Sequence, residues 1–396
     1  MKPKLLIFIN TLSFGGAERV VSQLLNNLTN EFELHLALYN KVIDYPIPPQ
    51  VNIVDLQEDT NAGNMAVLLK IPSNARKLAA YCKQHNIYIS VSFLNRPCYV
   101  NALMKAWYGF KGRVIMCERS HQSTILNYIG GGSTLYKIIT KKLISYSYKK
   151  ADLILTNSKV SKQDLIENFG IKNPINVIYN PIDILVVDKM ATAPVHGIFD
   201  DGIFYFIATG NFRIEKNFPL LIEAFARLKN LPVKLVLVGG GAQETLLKEQ
   251  VDHYEILDKV VFTGFDKNPF RFMKASHCFV LSSYTEGFPN VLLEALACGK
   301  PIISTDCKSG PRELLAPGSP INTQVTSDYE LGGFGLLTPV NDATSLAKAM
   351  MRMYEDKDLQ NSLAQKARQR ATEFDIAVIK NLFIEAFAGV PVSTPH

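Results

Sequence analysis

The run 282-SSYTEGFPNVLLEALACGKP-301 carries two carboxylates, Glu286 and Glu294, on either side of a Gly287-Phe288-Pro289 turn. The apolar segment before it, HCFVLSS, has the β-rich, turn-bounded composition of a buried strand. The segment after it, NVLLEALACG, sets Val291, Leu292, Ala295 and Leu296 at helical spacing. Pro289 suits a first helical turn and Gly299 closes the helix. Glu286 therefore belongs to a strand-to-helix loop, and Glu294 lies about one turn into the helix. Loops of this kind are where open α/β sheets hold anionic ligands. Backbone N–H groups from Phe288 through Asn290 to Val291 are placed to meet a diphosphate, and the two carboxylates to accept from sugar hydroxyls. An isolated pair of glutamates would instead read as a solvated loop and helix.

The surrounding motifs decide between these readings. Glu286 and Glu294, with GFP between them and a helix behind, resemble the E-x7-E motif of retaining glycosyltransferases of the GT-B fold, specifically glycosyltransferase family 4. GGAER at 15–19, YNPID at 179–183, EKNF at 215–218, VFTGF at 261–265 and SGPREL at 309–314 follow in that family's order. The resemblance spans nearly the whole chain. It is specific for the family and much weaker for the substrate.

Bulk properties agree. A chain of 396 residues, 47% of them hydrophobic, is long enough for two or three domains with real cores. The net charge of +6 is modest but unevenly spread. No acidic residue falls between Glu118 and Asp152, whereas Arg119, Lys137, Lys141, Lys142, Lys149 and Lys150 do. Six cysteines (82, 98, 117, 278, 298 and 307) show no metal-ligand rhythm and read as reduced structural thiols of a cytoplasmic protein. No apolar run approaches the ~20 residues that span a bilayer. The opening MKPKLLIFINTLSFGGA has the outline of a secretory signal. Asn10 and Thr11 interrupt its short apolar core, however, and Val20, Val21, Leu24, Leu25 and Leu28 continue it as an amphipathic helix. Strand, glycine turn and helix open a Rossmann-like unit. Gly15 and Gly16 permit close backbone approach to a ligand at the helix start; their spacing is not that of a dinucleotide fingerprint.

Strand and helix candidates alternate along both halves, which implies an α/β protein with parallel, doubly wound sheets. Helices are expected at 16–29, about 65–84, 97–108, 133–149 and 159–168, then at 217–229, 242–253, 268–275, 343–355, 358–373 and about 375–390. Residues 181–202 break the periodicity and read as a linker. The expected architecture is GT-B: two Rossmann-like domains facing across a cleft. Residues 1–185 form an acceptor-binding domain, with a helix within 375–396 packing back on it, and residues 200–374 bind the nucleotide sugar.

Other candidate site residues follow. The second domain's first strand ends in ATGNFRIEKNF, where Lys216 can neutralise a diphosphate leaving group. Related sequences place an arginine directly after Gly210; here that position is Asn211. Either Arg213 reaches the same space or one positive charge is absent. In the first domain CERSHQS brings Arg119 and His121 to the end of a strand, where similar enzymes face the transferred sugar and acceptor. The alternative for His121 is a solvent-facing loop residue. Gly264 and Phe265 lie where the family seats the nucleobase, and Arg312 starts a helix near the diphosphate region or is structural.

The resemblance implies front-face, retaining transfer from a nucleotide diphosphate sugar, a UDP-sugar such as UDP-GalNAc, UDP-GlcNAc, UDP-Gal or UDP-Glc, onto a glycan acceptor that is lipid-linked. Glu286 would hold donor-sugar hydroxyls and Glu294 the ribose. The departing charge would meet Lys216, Arg213 and the Gly15–Gly16 loop. The alternatives are a GDP-mannose donor or a non-catalytic sugar-nucleotide-binding scaffold. No D-x-D motif lies in a loop expected at the cleft, so no metal or cofactor is expected. Residues 133–150, TLYKIITKKLISYSYKK after Ser133, set aliphatics at helical spacing among lysines and tyrosines. They suit an anionic membrane surface on the cytoplasmic side, or else pack as an ordinary amphipathic helix. A nucleic-acid partner is excluded by the shortness of the basic tract.

Overall fold

The computed structural model describes residues 2–58, 68–128 and 134–390. The chain divides into two compact units, one formed by Met1–Pro181 with Ile376–His396 and the other by Ile182–Asp375. The start of the helix expected near residue 65 and the end of the 375–396 segment lie outside the described residues, as does residue 133.

In the first unit seven strands form one sheet: β1 (Lys4–Ile9), β2 (Glu33–Leu38), β3 (Asn52–Asp55), β4 (Ile89–Phe93), β5 (Arg113–Glu118), β6 (Leu153–Thr156) and β7 (Ile175–Val177). All pairs are parallel, in the order β3-β2-β1-β4-β5-β6-β7. Such a sheet is covered on both faces, which is why β1 reads LLIFI without alternation. The period of two still sorts its side chains: Leu5, Ile7 and Ile9 join the core of one face, Leu6 and Phe8 that of the other. Helices Gly16–Asn27 and Ile376–Ala388 cover the first face. Phe383 and Phe387 are fully buried there, the Phe387 ring 6.2 Å from Phe32. Arg113 Nη1 donates to the carbonyl of Ala386 at 2.7 Å.

The second unit repeats the plan with β8 (Phe204–Thr209), β9 (Val233–Val238), β10 (Val260–Gly264), β11 (Cys278–Leu281), β12 (Ile302–Thr305), β13 (Glu330–Leu331) and β14 (Leu336–Thr338). The order is β10-β9-β8-β11-β12-β14-β13, parallel except for the antiparallel edge pair β13–β14. Those two strands are too short for a sequence pattern to show. The strand order reverses between β1 and β4 in one sheet and between β8 and β11 in the other, the switch points at which open α/β sheets bind ligands.

The segment expected as a linker contains a helix, Ile184–Ala191, capped by Asp183 through a 3.0 Å bond from the Val186 N–H. Its exposed Leu185 blurred the amphipathic pattern. All six cysteines are buried and free.

Replacing Phe383 with alanine empties a closed site and should lower stability by about 3–5 kcal/mol, measured as a shift in the urea midpoint.

Candidate active site

The second unit gathers its polar groups at the β8/β11 switch point. β8 ends at Thr209, and Gly210 follows with φ +149°. The chain then makes a single 3-10 turn, Ile214–Lys216. β11 feeds the loop that carries Glu286. The two loops are sewn together: Ser282 Oγ donates to the Lys216 carbonyl at 3.0 Å, and the Tyr284 N–H to the Glu215 carbonyl at 2.9 Å. This stitching delivers the Lys216 ammonium to Glu286 at 2.7 Å between Nζ and Oε1. Ser283 Oγ donates to the same oxygen at 2.7 Å.

Beyond Glu286, Phe288 and Pro289 are buried and helix Asn290–Ala297 begins, with Pro289 as its cap residue rather than in its first turn. Glu294 is buried within that helix. The helix directs its positive dipole end at the loop. The hydroxyls of Thr209 and Thr285 are buried with no hydrogen-bond partner among the described residues.

A glycine rim completes this end of the sheet. The Gly210 N–H donates to Val238 O at 3.0 Å, the Phe212 N–H to Gly240 O at 2.9 Å and the Gly239 N–H to Gly264 O at 2.9 Å. A Cβ on Gly239 would lie 1.9 Å from the Gly210 carbonyl oxygen, so the two loops meet backbone to backbone. Asn211 is exposed on this rim, and Phe265, after β10, is 61% exposed. Arg213 points outward, 63% exposed, with its guanidinium 3.8 Å from Glu215.

The first unit has its own polar cluster after β5. Buried Glu118 accepts from the Arg119 and Ser120 N–H groups at 2.8 and 2.9 Å, and from Ser120 Oγ, Gln122 Nε2 and Tyr148 OH. Burial pushes its carboxyl above the ordinary range, against the pull of those donors. Arg119 donates to Asn180 Oδ1 at 3.1 Å and lies against the rings of Phe93 and Phe383. Its Nε and Nη2 are buried without a partner among the described residues. His121 is buried, not solvent-facing; its Nδ1 is 2.8 Å from Thr124 Oγ1 at the start of helix Gln122–Tyr128. Gly15 caps helix Gly16–Asn27, and Glu18 folds back so closely that a Cβ on Gly15 would meet its carboxylate at 2.2 Å.

Thus Lys216 and Glu286 are in direct contact, with Gly210, Gly287 and Phe288 in adjoining segments. Arg213 is paired elsewhere. Ser283, Thr285 and Gly239–Gly241 were not singled out from sequence; the GGG run after a buried strand was the available signal. Arg312 is structural in its contacts, buried against Asp306 and Glu330.

Each unit is a doubly wound parallel sheet, and the second carries the Lys216–Glu286 pair at its switch point. The Glycosyltransferase Family 4 model matches residues 14–184, and that of Glycosyl transferases group 1 matches residues 193–370. The chain is 37% identical over 374 residues, 94% of its length and 96% of the relative's, to the N-acetylgalactosamine-N,N'-diacetylbacillosaminyl-diphospho-undecaprenol 4-alpha-N-acetylgalactosaminyltransferase of Campylobacter jejuni. It is 25% identical, over 98% of its length and 99% of the relative's, to a second alpha-1,4-N-acetyl-D-galactosaminyltransferase of that organism, which acts on a GalNAc-bearing diphospho-undecaprenol glycan. The crystal structure of Anabaena HepE in complex with UDP shares the fold, with a TM-score of 0.75 at 19% identity, covering 98% of this chain and all of that one. The protein belongs to glycosyltransferase family 4 and is a GT-B glycosyltransferase.

Gly239→Ala should cost about 1–3 kcal/mol through forced displacement of the Gly210 loop, read as a lowered melting temperature.

Proposed function

We propose that this glycosyltransferase moves N-acetylgalactosamine from UDP-GalNAc onto a polyprenyl-diphosphate-linked glycan, with retention at the anomeric carbon. The observation that carries this reading is the 2.7 Å Lys216–Glu286 contact at the switch point, in a chain aligned over nearly its full length with an undecaprenol-linked GalNAc transferase. Glu286, fixed by Ser283, holds donor-sugar hydroxyls through Oε2. Glu294 takes the ribose hydroxyls, and Phe265 flanks the base. The bond from the anomeric carbon to the diphosphate oxygen breaks as the acceptor hydroxyl oxygen attacks the same face. The hydroxyl proton passes to the departing phosphate. Lys216 meets the charge that develops there, a contribution typically worth ~3 kcal/mol of barrier, and Arg213 can swing in from its exposed position. No divalent cation is assigned to this step.

The acceptor's lipid calls for a membrane surface. No helix among the described residues is long and apolar enough to cross a bilayer. Helix Thr134–Tyr148 nevertheless exposes Tyr136, Ile138, Ile139 and Tyr146 beside the exposed Lys141 and Lys142, while Ile144 and Tyr148 anchor it in the core. Apolar side chains amid exposed lysines fit the anionic cytoplasmic leaflet.

Incubation with UDP-GalNAc and a polyprenyl-diphosphate glycan should give the extended lipid, unaffected by a chelator, and Lys216→Ala should lower kcat about 100- to 1,000-fold. Transfer from GDP-mannose instead, or no transfer from any nucleotide sugar, would overturn the reading. In flotation assays the protein should rise with phosphatidylglycerol vesicles, not with phosphatidylcholine alone, and a Lys141→Glu/Lys142→Glu variant should stay behind.

A further inference from the structure

Behind the Glu286 loop the chain makes a second turn, held in shape by one guanidinium. After β12, Ser309 and Gly310 adopt φ of +71° and +95°, a left-handed pair that serine takes up only under strain. This turn braces the site loop. Thr305 Oγ1 donates to the Ser283 carbonyl at 2.7 Å, and Ser309 Oγ donates to the Gly287 carbonyl. A Cβ on Gly310 would lie 2.5 Å from Pro289 Cδ and 3.0 Å from Phe288 Cα.

The far side of the brace is tied by Arg312, which is 5% exposed. Its Nε lies 3.2 and 3.1 Å from the two oxygens of Asp306, and its Nη2 is 2.5 Å from Oδ2. The rest of the fork reaches Glu330 on β13 at 3.1 and 2.8 Å and Ser319 Oγ at 2.8 Å. Asp306 Oδ2 also accepts from the Val325 N–H at 2.8 Å. One planar group thus closes the 306–312 turn and ties it to the sheet edge, a geometry that an ammonium cannot reproduce.

We infer that Arg312 is a positioning residue for the donor sugar: its fork between Asp306 and Glu330 fixes the Ser309–Gly310 turn, and that turn fixes the loop bearing Glu286. The inference rests on the proposed function only in naming the sugar as what the loop holds.

The test compares the full-length protein with Arg312→Lys and with Glu330→Gln, which removes one arm of the fork should the first variant not fold. Without ligand, amide exchange across residues 283–292 should rise about tenfold while β8 and β9 keep their protection. Affinity for UDP-GalNAc should fall about tenfold and that for UDP by less, since the sugar depends on the placement of Glu286 whereas the diphosphate also meets Lys216. Exchange that rises only in residues 316–333, or an equal loss of both ligands, overturns the inference. A wild-type protein that binds no UDP-GalNAc would sink the donor assignment instead, and the exchange comparison would still decide the role of Arg312.

Discussion

A parallel sheet wrapped by helices on both faces has nothing left for chemistry but its strand ends. Both units of this glycosyltransferase obey that constraint. In the second, the chain leaves the paired strands β8 and β11 in opposite directions where the strand order reverses, and that end of the sheet is lined by whatever follows each strand. A 3-10 turn follows one and a serine-rich loop the other; hydrogen bonds between them bring Lys216 and Glu286 together. The charge pair is a product of topology before it is a product of side-chain choice.

Much of this was legible in the chain. The buried strands announce themselves as apolar runs because both faces are covered, and the E-x7-E spacing sits on a strand, turn and helix whose boundaries glycine and proline mark. Lys216 was readable for the same reason, as a cation at the start of a helix after a strand-end glycine. What was not legible depends on contacts between residues distant in sequence. Ser283 orients Glu286, yet nothing in SSYTEGFP distinguishes it from a loop serine. Arg312 meets Glu330 across an intervening loop, and β13 is two residues long. Arg213 shows the converse: its sequence position favours the site, whereas its side chain is drawn to Glu215. Helix Ile184–Ala191 was hidden because the exposed Leu185 and Val186 erase its amphipathic periodicity.

The polar cluster of the first unit is arranged on another principle. Glu118 is satisfied by five donors, whereas Arg119, next in sequence, keeps two buried donors unmatched among the described residues and rests on two aromatic rings. Neighbouring positions at a strand end face opposite sides of the sheet, so the carboxylate is ringed by donors while the guanidinium next to it lies against aromatic rings.

The return of helix Ile376–Ala388 to the first unit has a consequence for synthesis. The second unit is continuous, from Ile182 to Asp375, and is complete before the last helix leaves the ribosome. The first unit begins earlier but must wait with one face of its sheet only partly covered, by helix Gly16–Asn27, until Phe383 and Phe387 arrive. The order of completion is therefore the reverse of the order of translation, and the first unit is the one whose apolar face stands open to chaperones in the interval.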